Sequence, residues 1–331
     1  MNGTTEAPVQ EQPRVAQDPR AASWPSRANT VYNRHPGRVV VAILCIAALA
    51  AFVYALAANP NISWADVAFY LFFPKILEGV LVTLELSFIA TVIGLAIGVV
   101  LAIMKLSHNP VARMLSTLYI WFFRGTPVLV QLIFWFNLAF LFPSIVIAIP
   151  FTDIGYMWDT NEIMTGFNAA LLGLALNLGA YAAEIVRAGI QAVDHGQSEA
   201  ASSLGMTSGQ RMRIVVLPQA IRIIIPPFGN EFIGMLKTTS LVYVVAGNDL
   251  MTNASQIYKE NSKIMELLIV ASIWYMVITA VATYLQSKLE ARFGNALGAP
   301  SARRYGRKIE TDAAARVARA ATPFQPAEDA R

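Results

Sequence analysis

The sequence predicts an all-α integral membrane protein of six spans, and three observations carry that expectation. Of its 331 residues, 56% are hydrophobic and only 14% charged, with a mean hydropathy of +0.50, outside the range of a soluble globular domain. The apolar residues gather in six runs, each about as long as the ~20 residues that cross a bilayer as a helix, or longer. Lysine and arginine collect in alternate connections between the runs, the asymmetry that orients a membrane protein.

Residues 1–38 are rich in Pro, Ala, Gln and Arg and show almost no apolar clustering, so they are read as a disordered cytoplasmic tail. The first run, VVVAILCIAALAAFVYALAA (39–58), carries no charge and is read as a membrane helix additional to the rest. A signal peptide is the competing reading, since Ala55-Leu56-Ala57 would suit cleavage. The polar region ahead is too long for one, and the run exceeds the usual apolar core of a signal. The second run, Leu77–Met104, holds Gly94 and Gly98 four apart, a spacing of small residues that lets helix backbones approach. The third, Met114–Phe142, contains Arg124, and Pro127 is expected to bend it. After a polar, acidic connection come the fourth, Asn168–Ile190, and the fifth, Ala220–Ala246, with Pro226-Pro227 near its start. The sixth is Ile264–Gln286, and 291–331 form a second cytoplasmic tail, rich in Ala and Arg.

The basic residues decide the orientation. Arg14, Arg20, Arg27, Arg34 and Arg38 precede the first run; Lys105 and Arg113 follow the second; Arg187, Arg211, Arg213 and Arg222 flank the connection after the fourth. Lys288, Arg292, Arg303, Arg304, Arg307 and Lys308 follow the sixth, against only Lys75, Lys259 and Lys263 on the other side. Both termini are therefore expected in the cytoplasm, and the pI near 9.2 reports topology and not nucleic-acid binding.

Chemistry within the chain is not expected. The single cysteine, Cys45, excludes an intramolecular disulfide and a multi-cysteine metal site. GNEFIGMLKT (229–238) has two glycines and a lysine, but Met235 and Leu236 separate Lys237 from the second glycine, whereas a phosphate-binding loop needs them adjacent. No catalytic residue, metal or cofactor is assigned.

One polar stretch stands out, EAASSLGMTSGQRMRIVVLP (199–218). Glu199–Leu204 reads as a short helix, and Gly205 can take the left-handed conformation that ends one. Thr207 and Gln210 have the spacing of a capping box, so a second helix is expected to run to about Val216, with Pro218 interrupting or restarting the chain. The result is a glycine elbow with alanine on one face and Arg211 and Arg213 beyond it.

E-A-A, three residues, Gly, nine residues and V-V-L-P resembles the "EAA" loop of ATP-binding-cassette importer permeases, on Glu199, Ala200, Ala201, Gly205, Leu217 and Pro218. Val215 stands where that pattern prefers isoleucine. LEGVLVTLELSFIATVIGLAIG, WFFRGTPVLVQLIFWF, LGAYAAEIVRAGIQAVDHGQSEAASSLGM and LKTTSLVYVV extend the resemblance over 75–290 to the polar amino-acid branch, which serves histidine, glutamine, glutamate, arginine or opines. The resemblance implies a type I importer transmembrane fold, a five-helix core at 75–290 preceded here by the extra helix. It implies a multi-pass protein of the bacterial inner membrane without its own ATP site. Two cytoplasmic ATPase subunits would seat on the elbow, beside an extracytoplasmic amino-acid-binding protein and a second permease copy, identical or sister.

Polar groups within the spans are candidates for the translocation pathway or its gating: Arg124, Thr126 and Pro127 of the Arg-Gly-Thr-Pro signature, Glu78 and Glu85, and Lys237. Snorkelling or a structural ion pair is the alternative for Arg124. Glu231 and Lys237, six apart, do not stack on one helix face, so each needs another partner. Glu184 and Arg187 are spaced to pair locally, and Asn177 and Tyr181 could line the route. An ion-coupled secondary transporter is the alternative from another class; it would show inverted repeats and midplane carboxylates, and Glu85 keeps it open.

Overall fold

A computed structural model of the chain describes residues 36–148 and 155–294, and they divide into two units, Met1–Asn61 and Ile62–Arg331. The expected tails fall almost wholly outside the described residues. The first unit contributes α1 (Pro36–Ala57), whose apolar window Val39–Ala57 presents exposed side chains such as Phe52 and Leu49.

The second unit opens with α2 (Trp64–Leu71), followed by α3 (Pro74–Leu106), α4 (Pro110–Gly125), α5 (Val128–Phe136), a two-stranded hairpin (β1 Ser144–Ala148, β2 Gly155–Asp159) and the single turn α6 (Thr160–Ile163). Then come α7 (Gly166–Gln191), α8 (His195–Ser203), α9 (Ser208–Gln210), a π-helical segment Arg211–Val216, α10 (Leu217–Thr238), a 3-10 segment Thr239–Val245, α11 (Leu250–Asn261) and α12 (Ile264–Gly294). Among the described residues five helical stretches are long and apolar enough to cross a membrane, or six if α4 and α5 together make one span. The short α2, α6, α8 and α11 and the hairpin lie in connections where the sequence shows no long apolar period.

The α3–α7 pair forms the spine. A Cβ on Gly98 would stand 2.5 Å from the Ala182 Cβ, and one on Gly94 would stand 2.9 Å from the Leu178 Cβ. Only glycine permits this approach, so the spacing noticed at 94 and 98 is a packing seam. Leu86, Ala90, Leu132, Leu174 and Val242 extend that core to α5 and the 3-10 segment. Along α3 the hydroxyls of Ser87 and Thr91 donate to the carbonyls of Thr83 and Ser87 at 2.7 and 2.6 Å, which lets polar residues sit buried in a span.

A second core gathers α2, the start of α3, α11 and α12 around Ile76, Leu250, Leu267 and Val270. Asp249 caps α11 through the amides of Met251 and Thr252, and Asn253 Nδ2 donates to the Lys75 carbonyl at 2.8 Å. Trp274 Nε1 donates to the Leu71 carbonyl at 2.8 Å, and Lys263 pairs with Asp66 at 2.5 Å.

Two spans differ from expectation. The third is not one bent helix: α4 and α5 meet at 100°. Thr126 and Pro127 are both extended there, with ψ of 141° and 135°, because a residue before proline avoids the helical region and proline cannot donate to it. The fifth is longer, helical from Ser208 to Val245. Pro218, read as interrupting or restarting the chain ahead of this span, stands in the first turn of α10, and the chain widens just before it, the Leu217 amide bonding to the Met212 carbonyl five residues back. A π-turn moves the preceding carbonyls out of the way of the ring.

Candidate functional site

The elbow is built by local hydrogen bonds. Asp194 caps α8, its Oδ1 accepting from the Gly196 amide at 2.7 Å, so the helix begins four residues before Glu199, the expected start. At its end the Gly205 amide donates to the Ser202 carbonyl at 3.0 Å and the Met206 amide to that of Ala201 at 3.2 Å. With Gly205 at φ +78°, this is a Schellman ending, and the left-handed turn favours glycine. Thr207 then starts the next helix with the expected capping box: the Gln210 amide donates to Thr207 Oγ1, and the Thr207 amide to Gln210 Oε1 at 2.9 Å. Arg211 donates back to Ser202 Oγ at 2.7 Å, tying the two arms together.

Of the motif residues, Glu199, Ala200, Leu217 and Pro218 are exposed, while Ala201 is buried. The alanine pair therefore does not form one open face: Ala201 packs inward and Ala200 outward, as neighbours about 100° apart on a helix must. Leu204 is 79% exposed at the tip. Val193, Val216 and Ala220 root the elbow in the spans.

The second candidate region is the break between α4 and α5. A break within a bilayer leaves carbonyls that only protein or a water-filled cavity can satisfy. Gln131 Nε2 donates to the Phe123 carbonyl at 3.1 Å, the Thr126 carbonyl at 3.1 Å and Thr126 Oγ1 at 2.7 Å. Asn177 Nδ2, from α7, donates to Phe123 at 2.8 Å and to Gln131 Oε1 at 3.3 Å. Nothing but its place four residues after the proline of a breaking signature marks Gln131 in the sequence.

Beside the break, Val128, Asn177, Tyr181, Glu231, Met235 and Thr238 line a cavity of about 190 Å³. The Arg124 guanidinium lies over the Tyr181 ring, 5.0 Å from its centre, and is within electrostatic reach of Glu231. Arg124 also occupies the last turn of α4, where the helix dipole favours a cation. The structure thus brings Arg124 to Tyr181 and Glu231, and Thr126, through Gln131, to Asn177, while none of Arg124, Thr126 and Pro127 lines the cavity itself. It does not bring Glu78, Glu85 or Lys237 there: all three are exposed and none lines this cavity. Glu78 and Glu85 share an outer stripe of α3 with Leu81, Phe88 and Val92, spaced by threes and fours. Glu184 pairs with Arg187 at 2.7 Å as expected, and also with Lys105 of α3 at 2.5 Å.

Residues 94–295 match the family described as "binding-protein-dependent transport system inner membrane component". The chain is 43% identical over 262 residues to the arginine transport system permease protein ArgU of Corynebacterium glutamicum, covering 78% of this chain and 81% of that one. It is 35% identical over 224 residues to the putative glutamine transport system permease protein GlnP of Rickettsia typhi, covering 67% and 95%. A crystal structure of an amino acid ABC transporter with histidines aligns at a TM-score of 0.59 and 39% identity, over 68% of this chain and 97% of that one. The chain belongs to this family of inner-membrane transport components, and its fold is that of the type I ABC importer permeases.

Proposed function

We propose that this family member is the membrane-spanning permease subunit of an ATP-driven amino-acid importer, and that 195–218 is where it receives the ATPase stroke. The observation that carries this is the elbow itself: two capped helices at a left-handed glycine, rooted by Val193 and Val216, with Leu204 exposed at the tip. A rigid, rooted projection transmits force, whereas a loose loop would absorb it. Glu199, Ala200, Gly205, Leu217 and Pro218 form its exposed part and Ala201 its inner packing.

The relatives' substrates point to amino acids. The region by the break supports that class: Glu231 lines the cavity and Arg124 lies beside it over Tyr181, so a carboxylate and a guanidinium are at hand for the two charged ends of a zwitterion. Arg124, Thr126 and Pro127 would then shape the route, with 75–290 as the permease domain and 39–58 as an added helix. Glu78 and Glu85, costly if turned to lipid, are best covered by a second permease copy or by the pathway between copies. Two ATPase subunits on the cytoplasmic side and an extracytoplasmic binding protein complete the reading, with both termini in the cytoplasm. No observation favours the ion-coupled alternative.

The test is uptake of radiolabelled amino acids by a strain lacking its own systems, given this gene with its neighbouring ATPase and binding-protein genes. The expected result is accumulation that stops when the ATPase is inactivated; accumulation that continues would refute the reading.

A further inference from the structure

α3, α7 and α10 enclose an apolar groove of about 770 Å³, walled by residues such as Leu95, Val99, Ile225 and Phe228, with no ionisable side chain in its lining. We propose that this groove holds an anionic phospholipid of the cytoplasmic leaflet, an acyl chain along its walls and the phosphate at its Ser107 end. The leaflet rests on the orientation proposed above.

Length argues for a lipid. From Leu95 to Ser107 the groove follows α3 for twelve residues, ~18 Å, close to the ~15 Å depth of one leaflet's hydrocarbon.

Charge argues for an anionic lipid. Ser107, which closes α3, lines the mouth, and the exposed Arg113 donates to its carbonyl at 2.9 Å. One residue before the groove's last apolar wall, Lys105 shares the single carboxylate of Glu184 with Arg187, so that cluster retains one net positive charge. Basic sites at the cytoplasmic ends of spans recognise anionic headgroups, each cation strengthening binding about fivefold. Met212, in the π-helical segment at the foot of the elbow, lines the same groove, so an occupying lipid would bear on the element proposed to couple transport to the ATPase.

The test is native mass spectrometry of the purified full chain with equal amounts of dioleoylphosphatidylglycerol and dioleoylphosphatidylcholine. Phosphatidylglycerol should be retained about 25-fold in preference, about fivefold for each of the two positive charges, Arg113→Gln should cut that preference about fivefold, and Ile225→Trp should reduce retention of both. Equal retention by the native chain would overturn the proposal, as would a preference that Arg113→Gln leaves unchanged. So would an Ile225→Trp chain that keeps its lipid but loses self-association, which would make the groove an interface between copies. Arg113 is exposed, so its variant decides the matter even if Ile225→Trp does not fold. Lipid retention is read without transport, so a failure here is distinguishable from a failure of the import reading.

Discussion

The elbow at 195–218 and the break at 124–127 both interrupt helices, yet they are held in opposite ways. The elbow is closed by bonds between residues no more than nine apart, all at an exposed surface: Asp194 to Gly196, Thr207 to Gln210, Arg211 to Ser202. The break is closed in part by Asn177, 54 residues downstream, and by a buried Gln131. Water can solvate any elbow group that loses its partner; at the break Phe123 is buried, and its carbonyl depends on the amides of Gln131 and Asn177. Substitutions at the break should therefore register as lost stability, and those at the elbow as lost coupling.

The strongest challenge to that contrast is Gln131→Leu combined with Asn177→Leu. Orphaning the Phe123 and Thr126 carbonyls should cost about 2 kcal/mol or more, read as a clear fall in the thermal midpoint of the detergent-solubilised protein. An unchanged midpoint would mean that the break is not held by these amides. Thr207→Ala should cost less, about 1 kcal/mol of local helix stability for the lost cap, leaving the thermal midpoint nearly unmoved while amide exchange over 208–212 quickens.

The smallest effect is expected far from both regions, at Asp66–Lys263. Its hydrogen bond to Lys263, then that to Ser63, holds the Asp66 carboxyl below its ordinary 3.8, and the bond to Asp66 holds the Lys263 ammonium above its ordinary 10.5. The depressed acid makes the pair's contribution present above 3.8 and lost as pH falls through the folded value. The raised base makes it present below 10.5 and lost as pH rises through the folded value. The small deficit of Asp66→Asn should thus stay flat from about pH 5 to 9 and vanish in stronger acid. A deficit that varied across neutral pH would point to another titrating partner.

The same contrast explains what could be read from the sequence. The spans were legible because a bilayer demands long apolar runs, and the elbow because capping signals are local: Thr207, Gln210 and Gly205 sit where their chemistry requires. The membrane-spanning class, the family resemblance and the 94/98 seam were visible for similar reasons. The 100° turn at Pro127 was legible as a bend but not as a break, since a proline in a helix allows either. The amides that close it lie on two helices, and no period in either marks them as partners. The π-turn at 211–216 escaped because the sequence shows only that Pro218 is hard to accommodate, not how. Ala200 and Ala201 looked alike until packing placed one inside and one out.

The measurement that bears most directly on the central claim is ATP hydrolysis and amino-acid uptake, followed together in proteoliposomes holding the chain with its ATPase and binding protein, for the native chain and for Gly205→Pro. Proline cannot adopt the φ of +78° found at Gly205, so the elbow's shape is lost while the spans, whose cores lie elsewhere, should insert as before. Continued hydrolysis with uptake at background is the predicted result; uptake at the native rate would contradict the account.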